Sequence, residues 1–351
     1  MSFLVRAVAL TTCLTLVLGT LPTRALAQTS ATLEASPVLR TKAHAAKSKP
    51  PHTSPLKAAA PTNEAAPPAP PSFYSLGHLA DHTLSIPWEI AAVGGALVFV
   101  GVRDWDWGGS KFQFIEEGWF GNETRHGGMD KIGHAFSTYV IADILTDRIR
   151  ANAPNPTGAQ ITGALIAFGF MSAVETLDGF TGKHRFSRED IAANAFGAAF
   201  SVLRNSVPGM REKLDWRIMY TPASYELPGI TSWETDSIVP PYERQRYVMA
   251  LKGSGFDTLR STPLRYVELH AGFDARGFER KERELGHPMT RTFYTGIGLN
   301  LNEILFGAGP LPNLAEYKNT LPARAVQKTF EYVQVPYTAV YHGTRFSTVR
   351  P

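Results

Sequence analysis

Ile132-Gly133-His134-Ala135-Phe136-Ser137-Thr138-Tyr139-Val140-Ile141-Ala142-Asp143-Ile144-Leu145 is one of four apolar segments that decide how this chain folds. The others run Ile86 to Val102, Ile161 to Val174 and Ile191 to Leu203. All four are built from Ala, Gly, Ile, Leu, Val and Phe at spacings that suit helices. Gly94, Gly95, Gly163, Gly169 and Gly197 permit close approach of backbones. The expected class is therefore mainly α: a compact bundle of about four apolar helices with a smaller antiparallel β-rich C-terminal part. Each apolar stretch is about 13 to 17 residues, the range of buried core or re-entrant helices, against roughly 20 for a span. A water-soluble or membrane-peripheral bundle is expected over a spanning one. Asn152-Ala153-Pro154-Asn155-Pro156 separates the second helix from the third.

Towards the N-terminus, Arg6, the apolar run Ala7 to Leu21 and Ala25-Leu26-Ala27 form the three regions of a secretory signal. The alternative is an uncleaved anchor, which the short apolar run disfavours. Cys13 is the one cysteine; the residues before it, Leu10-Thr11-Thr12, are not those of a lipoprotein site, and cleavage at Ala27 removes it. A thiol-free exported chain suits an oxidising compartment. Residues 28–72 are rich in Ala, Pro, Ser, Thr and Lys and are read as a disordered linker. Residues 73–207 are the expected helical core, and 208–351 a C-terminal region with short strands.

In that last region Val267, Leu269, Ala271 and Phe273 alternate with Glu268, His270 and Gly272. Phe293, Thr295, Ile297, Leu299 and Leu301 alternate with Tyr294, Gly296, Gly298 and Asn300. Period two predicts half-buried strands. Thr329 to Tyr341, broken by Pro336, predicts an edge strand at best. The charged run Arg276 to Glu284 reads as a solvated hairpin connection.

Length and composition exclude whole classes. The 351 residues bury a core without staples, and a single cysteine excludes a disulfide scaffold. Lys+Arg 35 against Asp+Glu 31 gives a net charge of +4 without a dense basic run, so nucleic acid is not an expected partner. No G-x-S-x-G, Walker A loop, H-E-x-x-H or paired C-x-x-C occurs.

The polar residues converge between Gly127 and Ala198. Asp130, Lys131 and His134 open the second helix, with Asp130 and His134 on one face. Glu175 and Asp178 end the third. Ser187, Asp190 and Asn194 open the fourth, where Ser187 and Asp190 also read as an N-cap and its N3 partner. Two carboxylates at a helix C-terminus meet the negative end of its dipole and each other, so something must compensate them. Lys131 or Arg185 would make a salt-bridge network; a divalent cation on Glu175, Asp178 and His134 would make a metal site. Trp105, Trp107, Trp119, Phe112, Phe114 and Phe120 form an aromatic stretch before the second helix, read as core packing.

The run Gly127-Gly128-Met129-Asp130-Lys131-Ile132-Gly133-His134, with Glu175-Thr176-Leu177-Asp178 and Ser187-Arg188-Glu189-Asp190-Ile191-Ala192-Ala193-Asn194, resembles the YfiM-like family of predicted periplasmic lipoproteins, domain of unknown function 2279. The same skeleton is similar to VanZ-like membrane proteins. The resemblance covers about residues 105 to 205 and implies an uncharacterised bacterial envelope protein, exported and periplasmic or membrane-associated, without supplying an activity. The missing lipoprotein cysteine departs from the family label.

Two functional readings follow. In one, the chain is a structural or interaction factor whose polar cluster fixes helix register; in the other, it is an envelope enzyme or binder acting on a lipid or cell-wall carrier through its carboxylates and His134, with or without a divalent cation. The first is preferred because no nucleophile announces itself. Envelope proteins or lipid are the expected partners, with membrane contact; no oligomeric state is specified.

Overall fold

The computed structural model describes residues 74–220, 241–284, 286–310 and 313–348. The signal segment, with Cys13, and the linker to residue 72 lie outside the described residues. Two helices open the described chain: α1 (Leu76–Ser85) and α2 (Pro87–Asp104), bent 77° from each other at Ile86, where Pro87 starts the second. Three longer helices follow: α3 (Met129–Asn152), α4 (Ala159–Asp178) and α5 (Arg188–Ser206). Each predicted apolar segment lies within one of α2 to α5, save Ile86, which caps α2. Small residues set how near they come: a Cβ on Gly197 of α5 would overlap the Ala135 carbonyl of α3, and one on Gly163 of α4 would sit 2.8 Å from the Ala142 carbonyl oxygen. By length and composition α4 could cross a membrane, as could the bent α1–α2 pair counted as one span; a buried core helix has the same composition.

The mainly helical class is not what forms. Of the described residues 54% are helical and 20% are in strands, and the strands make a five-stranded antiparallel sheet with order β3-β4-β5-β6-β7. These are β3 (Leu214–Tyr220), β4 (Gln245–Lys252), β5 (Val267–Arg276), β6 (Met289–Leu299) and β7 (Ala339–Thr348). A small parallel pair, β1 (Phe114–Ile115) and β2 (Phe186–Ser187), lies among the helices. The sheet is no appendage, because it shares a core with the helices. Trp216 of β3 packs its ring 5.7 Å from Phe136 and from Tyr139 and 5.3 Å from Phe200. Tyr247 and Phe273 join the same cluster. Helices α3 to α5 form a tight unit, while α2 only borders it, so the compact four-helix bundle is replaced by a mixed α/β fold.

Sequence alternation hid β3 and β4, because their polar positions are not solvated. Asp215 and Arg217 on β3 and Lys252 on β4 are buried and join helix to sheet through ion pairs. Arg204 of α5 reaches both Asp143 oxygens at 3.3 Å and Asp215 at 2.8 Å. Lys252 and Arg217 each lie 2.7 Å from Asp215, and Arg217 lies 2.6 Å from Glu268 of β5. Arg211 and Lys328 close on Asp147 at 2.5 and 2.7 Å, and the Tyr332 hydroxyl donates to Asp143 at 2.6 Å. Burial opposes ionisation of Asp143, Asp147, Asp215 and Glu268, yet the facing cations hold all four below the usual carboxylate range.

Two further expectations change. Thr329–Tyr332 ends a helix, α10 (Leu321–Tyr332), α6 to α9 being the short helices Met210–Lys213, Asp257–Arg260, Arg280–Glu284 and Leu301–Phe306. The strand starts only at Ala339, beyond Pro336, and it is an edge strand, as is β3. The charged connection after β5 is not fully solvated: it holds α8, whose Glu282 is buried and accepts the Gly277 amide at 2.6 Å. In β5 and β6 the buried half is the polar one: Glu268, His270, Asp274, Thr290 and Thr292 are buried, while Leu269, Phe293, Ile297 and Leu299 are exposed.

Candidate functional site

The polar ends of α3, α4 and α5 meet beneath the segment 105–128. Gly127 and Gly128, both at positive φ (64° and 93°), turn that segment into α3; a side chain at either would be strained and would overlap Phe278 or Phe120. At the start of α5, Ser187 is the N-cap and accepts the Asp190 amide at 3.2 Å. The Asp190 carboxylate is thereby left free to face α3.

Lys131 is buried among three carboxylates. Its Nζ lies 2.5 Å from Glu117 Oε2, 2.7 Å from Asp130 Oδ2 and 2.9 Å from Asp190 Oδ1. Burial works against its charge, but Asp130, Asp190 and Glu117 outweigh burial and raise its pKa. Asp130 is held below its usual value because Lys131 and His126 more than offset its desolvation. Glu117 is pushed up to about 7 by burial, with Lys131 acting in the opposite direction. The lysine therefore serves Asp130 and Asp190 and leaves other acids of the site uncompensated.

Those others are Glu175 and Asp178, which the sequence leaves to Lys131, Arg185 or a cation. Among the described residues neither Lys131 nor Arg185 pairs with them. A Glu175 oxygen accepts the Ser187 amide. Burial, and then the Asp190 charge, push Glu175 up to about 9. The Trp107 indole donates to Asp178 Oδ1 at 2.6 Å; burial nevertheless raises Asp178 to about 6, while that hydrogen bond and His134 pull it down. Both groups carry the imprint of a site short of positive charge.

His134 sits between these parts, its Nε2 3.9 Å from Asp190 Oδ2 and its Nδ1 buried without a hydrogen-bond partner among the described residues. Asn194, one turn beyond Asp190, accepts the Thr138 hydroxyl at 3.0 Å and bridges α5 to α3. Its Nδ2 is also buried and unpartnered among the described residues. Two sets of ligand atoms lie within 4.8 Å of one another: His134, Glu175 and Asp190, and Glu117, Asp130 and Asp190. Lys131 fills the second. The first is the set able to hold a metal ion. Of the trio expected from sequence, Glu175 and His134 come together, Asp190 takes the third place, and Asp178 is turned to Trp107.

Sequence reasoning missed Glu117 and assigned Trp107 only to packing. Glu117 gives a signal in retrospect, as an acid pair with Glu116 inside an aromatic stretch. The aromatic residues pack on one another, Phe112 and Phe114 with Phe180 and Phe186 at 5.1 to 5.9 Å, but the expected core packing holds only for Trp105 and Trp107, because Phe112, Phe114, Trp119 and Phe120 are exposed. The segment is pinned at its far end by His126, which pairs with Glu279 of the β5–β6 connection.

Residues 116–206 match the family model described as predicted periplasmic lipoprotein (DUF2279). The matched span runs from beside Glu117 to the end of α5 and contains every residue of the site except Trp107. No curated protein and no solved structure matches the chain. The family description agrees with the leader-like N-terminus: this is an exported protein, periplasmic or membrane-associated, of uncharacterised role in the cell envelope.

Proposed function

We propose that this envelope protein takes up a divalent cation on His134, Glu175 and Asp190. The observation that carries the reading is the convergence of an imidazole and two carboxylates within 4.8 Å in a region where burial holds Glu175 protonated at neutral pH. A cation there replaces the Glu175 proton and supplies the charge that Lys131, already committed, does not. Two carboxylates and one imidazole suit Zn²⁺ or Mn²⁺. Three protein ligands leave positions for water or a substrate oxygen, so the site fits a binder of, or enzyme acting on, an anionic lipid or cell-wall carrier. The narrower likeness to YfiM-like and VanZ-like proteins rests on the motif skeleton alone.

The competing reading is a structural or interaction factor, favoured by the Lys131 cluster and by the Asn194–Thr138 bridge, which tie α3 to α5 without chemistry. Calorimetric titration separates the two. Mn²⁺ or Zn²⁺ is expected to bind the chelator-stripped full chain at one site, and His134→Ala or Glu175→Gln to weaken it by about tenfold or more. A parent chain that binds neither ion leaves the structural reading standing.

A further inference from the structure

We infer that the uncovered face of the sheet rests on a lipid bilayer. Register puts Leu251, Leu269, Ile297 and Val340 side by side across β4 to β7, and Val267 beside Leu299. Exposure rises outward along that row, 56% at Leu269, 61% at Ile297 and 81% at Val340. A line of rings continues it from the core: Phe120 meets Phe273, Phe273 meets Phe293 at 5.0 Å, and Phe293 meets Phe346 at 5.8 Å. The same face is covered by helices at Trp216 and Tyr247 and, among the described residues, bare beyond them. Thr295, His342 and Thr344 interrupt it, and Arg291, half-buried opposite Phe346, is drawn back onto Asn122 and the Gly121 carbonyl.

The opposite face turns this from an exposed patch into a directed one. There Arg246 lies 3.6 Å above the Tyr294 ring and 2.9 Å from Asp274. His270 bonds the Tyr341 hydroxyl at 2.8 Å and Glu268 at 3.1 Å. Arg217, Glu268, His270 and Asp274 are all buried. In water a one-sided sheet does the reverse, hiding aliphatic residues and showing charged ones. Desolvating these charges is costly and leaving an aliphatic row in water is costly too, so both together fit a sheet whose outside is hydrocarbon. Strands facing lipid alternate in this way, apolar outward and polar inward.

Lipid is favoured over a protein partner by what the bare face lacks. Protein interfaces are enriched in Tyr, Trp, Met and Arg, whereas the exposed side chains of this face are Leu, Ile, Val, Phe, Ala, Thr and His, with Met249 and Arg291 half-buried beside them. An exported envelope protein has a bilayer beside it. Among the described residues the five strands end at an open β7 edge and do not close a barrel, which fits a face lying in the interfacial layer. The inference is independent of the cation reading.

Two measurements on the full chain test it. Ile297→Trp, mixed with phosphatidylcholine vesicles whose acyl chains are brominated, is expected to lose fluorescence beyond the loss shown by the parent's own tryptophans. This reads the sheet face even if the N-terminal segment also binds lipid. In flotation, the double variant Ile297→Glu/Val340→Glu, with unchanged circular dichroism and melting temperature, is expected to need about tenfold more lipid than the parent at high salt. No added quenching in Ile297→Trp overturns the inference. So does a parent that self-associates without lipid through a contact the double variant abolishes, because the occupant is then a second copy.

Discussion

Two ionic regions lie at different ends of α3, one at its first turns and one along its second half, and they balance charge differently. At the junction of helices and sheet, Asp143, Asp147, Asp215, Glu268 and Glu331 are matched one for one by Arg204, Arg211, Arg217, Lys252 and Lys328, and the first four acids titrate below their usual range. At the helix ends, Glu117, Asp130, Glu175, Asp178 and Asp190 face one lysine and two histidines, of which His126 is already paired with Glu279, and Glu117, Glu175 and Asp178 titrate above their usual range. Burial acts the same way on both. The cations decide the outcome, so the junction is a closed structural network and the helix ends hold a site with room for another positive charge.

The largest test of that contrast is Arg204→Met. It leaves Asp143 and Asp215 without their central partner, and a loss of about 3 to 5 kcal/mol is expected in urea unfolding, unrelieved by added divalent cation. A variant as stable as the parent would erase the distinction. Asp178→Asn is expected to move the other way. Asp178, raised from 3.8 to about 6 in the fold, contributes stability that is complete below pH 4 and lost as pH rises through 6. Removing the charge should therefore stabilise the chelator-treated protein by roughly 2 to 3 kcal/mol at pH 7 and flatten its unfolding free energy between pH 4 and 6. The junction acids, held low, predict the opposite slope: their stability is present above pH 4 and lost as pH falls through their folded values.

Smaller effects sharpen the same comparison. Trp107→Phe removes the donor that restrains Asp178, so the Asp178 carboxyl should titrate above 6 by NMR, with a stability loss of about 1 kcal/mol. Ser187→Ala removes the α5 cap and should cost up to about 1 kcal/mol by thermal melting, with cation binding retained because Asp190 stays in place.

Sequence carried the helix ends well because their chemistry is local. Ser187 and Asp190 form a cap at fixed spacing, and Asp130 with His134 shares a face by helical period alone. Glu117 comes from an aperiodic segment, and Asp190, placed in the cluster, reads equally well as a capping residue and so falls outside the expected metal ligands. The sheet was legible where polarity alternates over a long run, in β5 and β6, and invisible in β3 and β4. There the charged Asp215 and Arg217 interrupt any apolar run, and they are buried because Arg204, Lys252 and Glu268, from three other elements, are brought against them. Which face of β5 is buried depends on those same distant partners, so alternation gave the period and not the direction.

The central claim is tested most directly by melting the full chain and Glu175→Gln side by side, in chelator and in excess Mn²⁺. The expected result is a variant at least as stable as the parent in chelator, and a parent stabilised by about 2 to 3 kcal/mol in Mn²⁺ at about a hundred times its dissociation constant, with no gain in the variant. A variant that melts far below the parent in chelator, with Mn²⁺ moving neither, would mean that the helix ends are a second closed network.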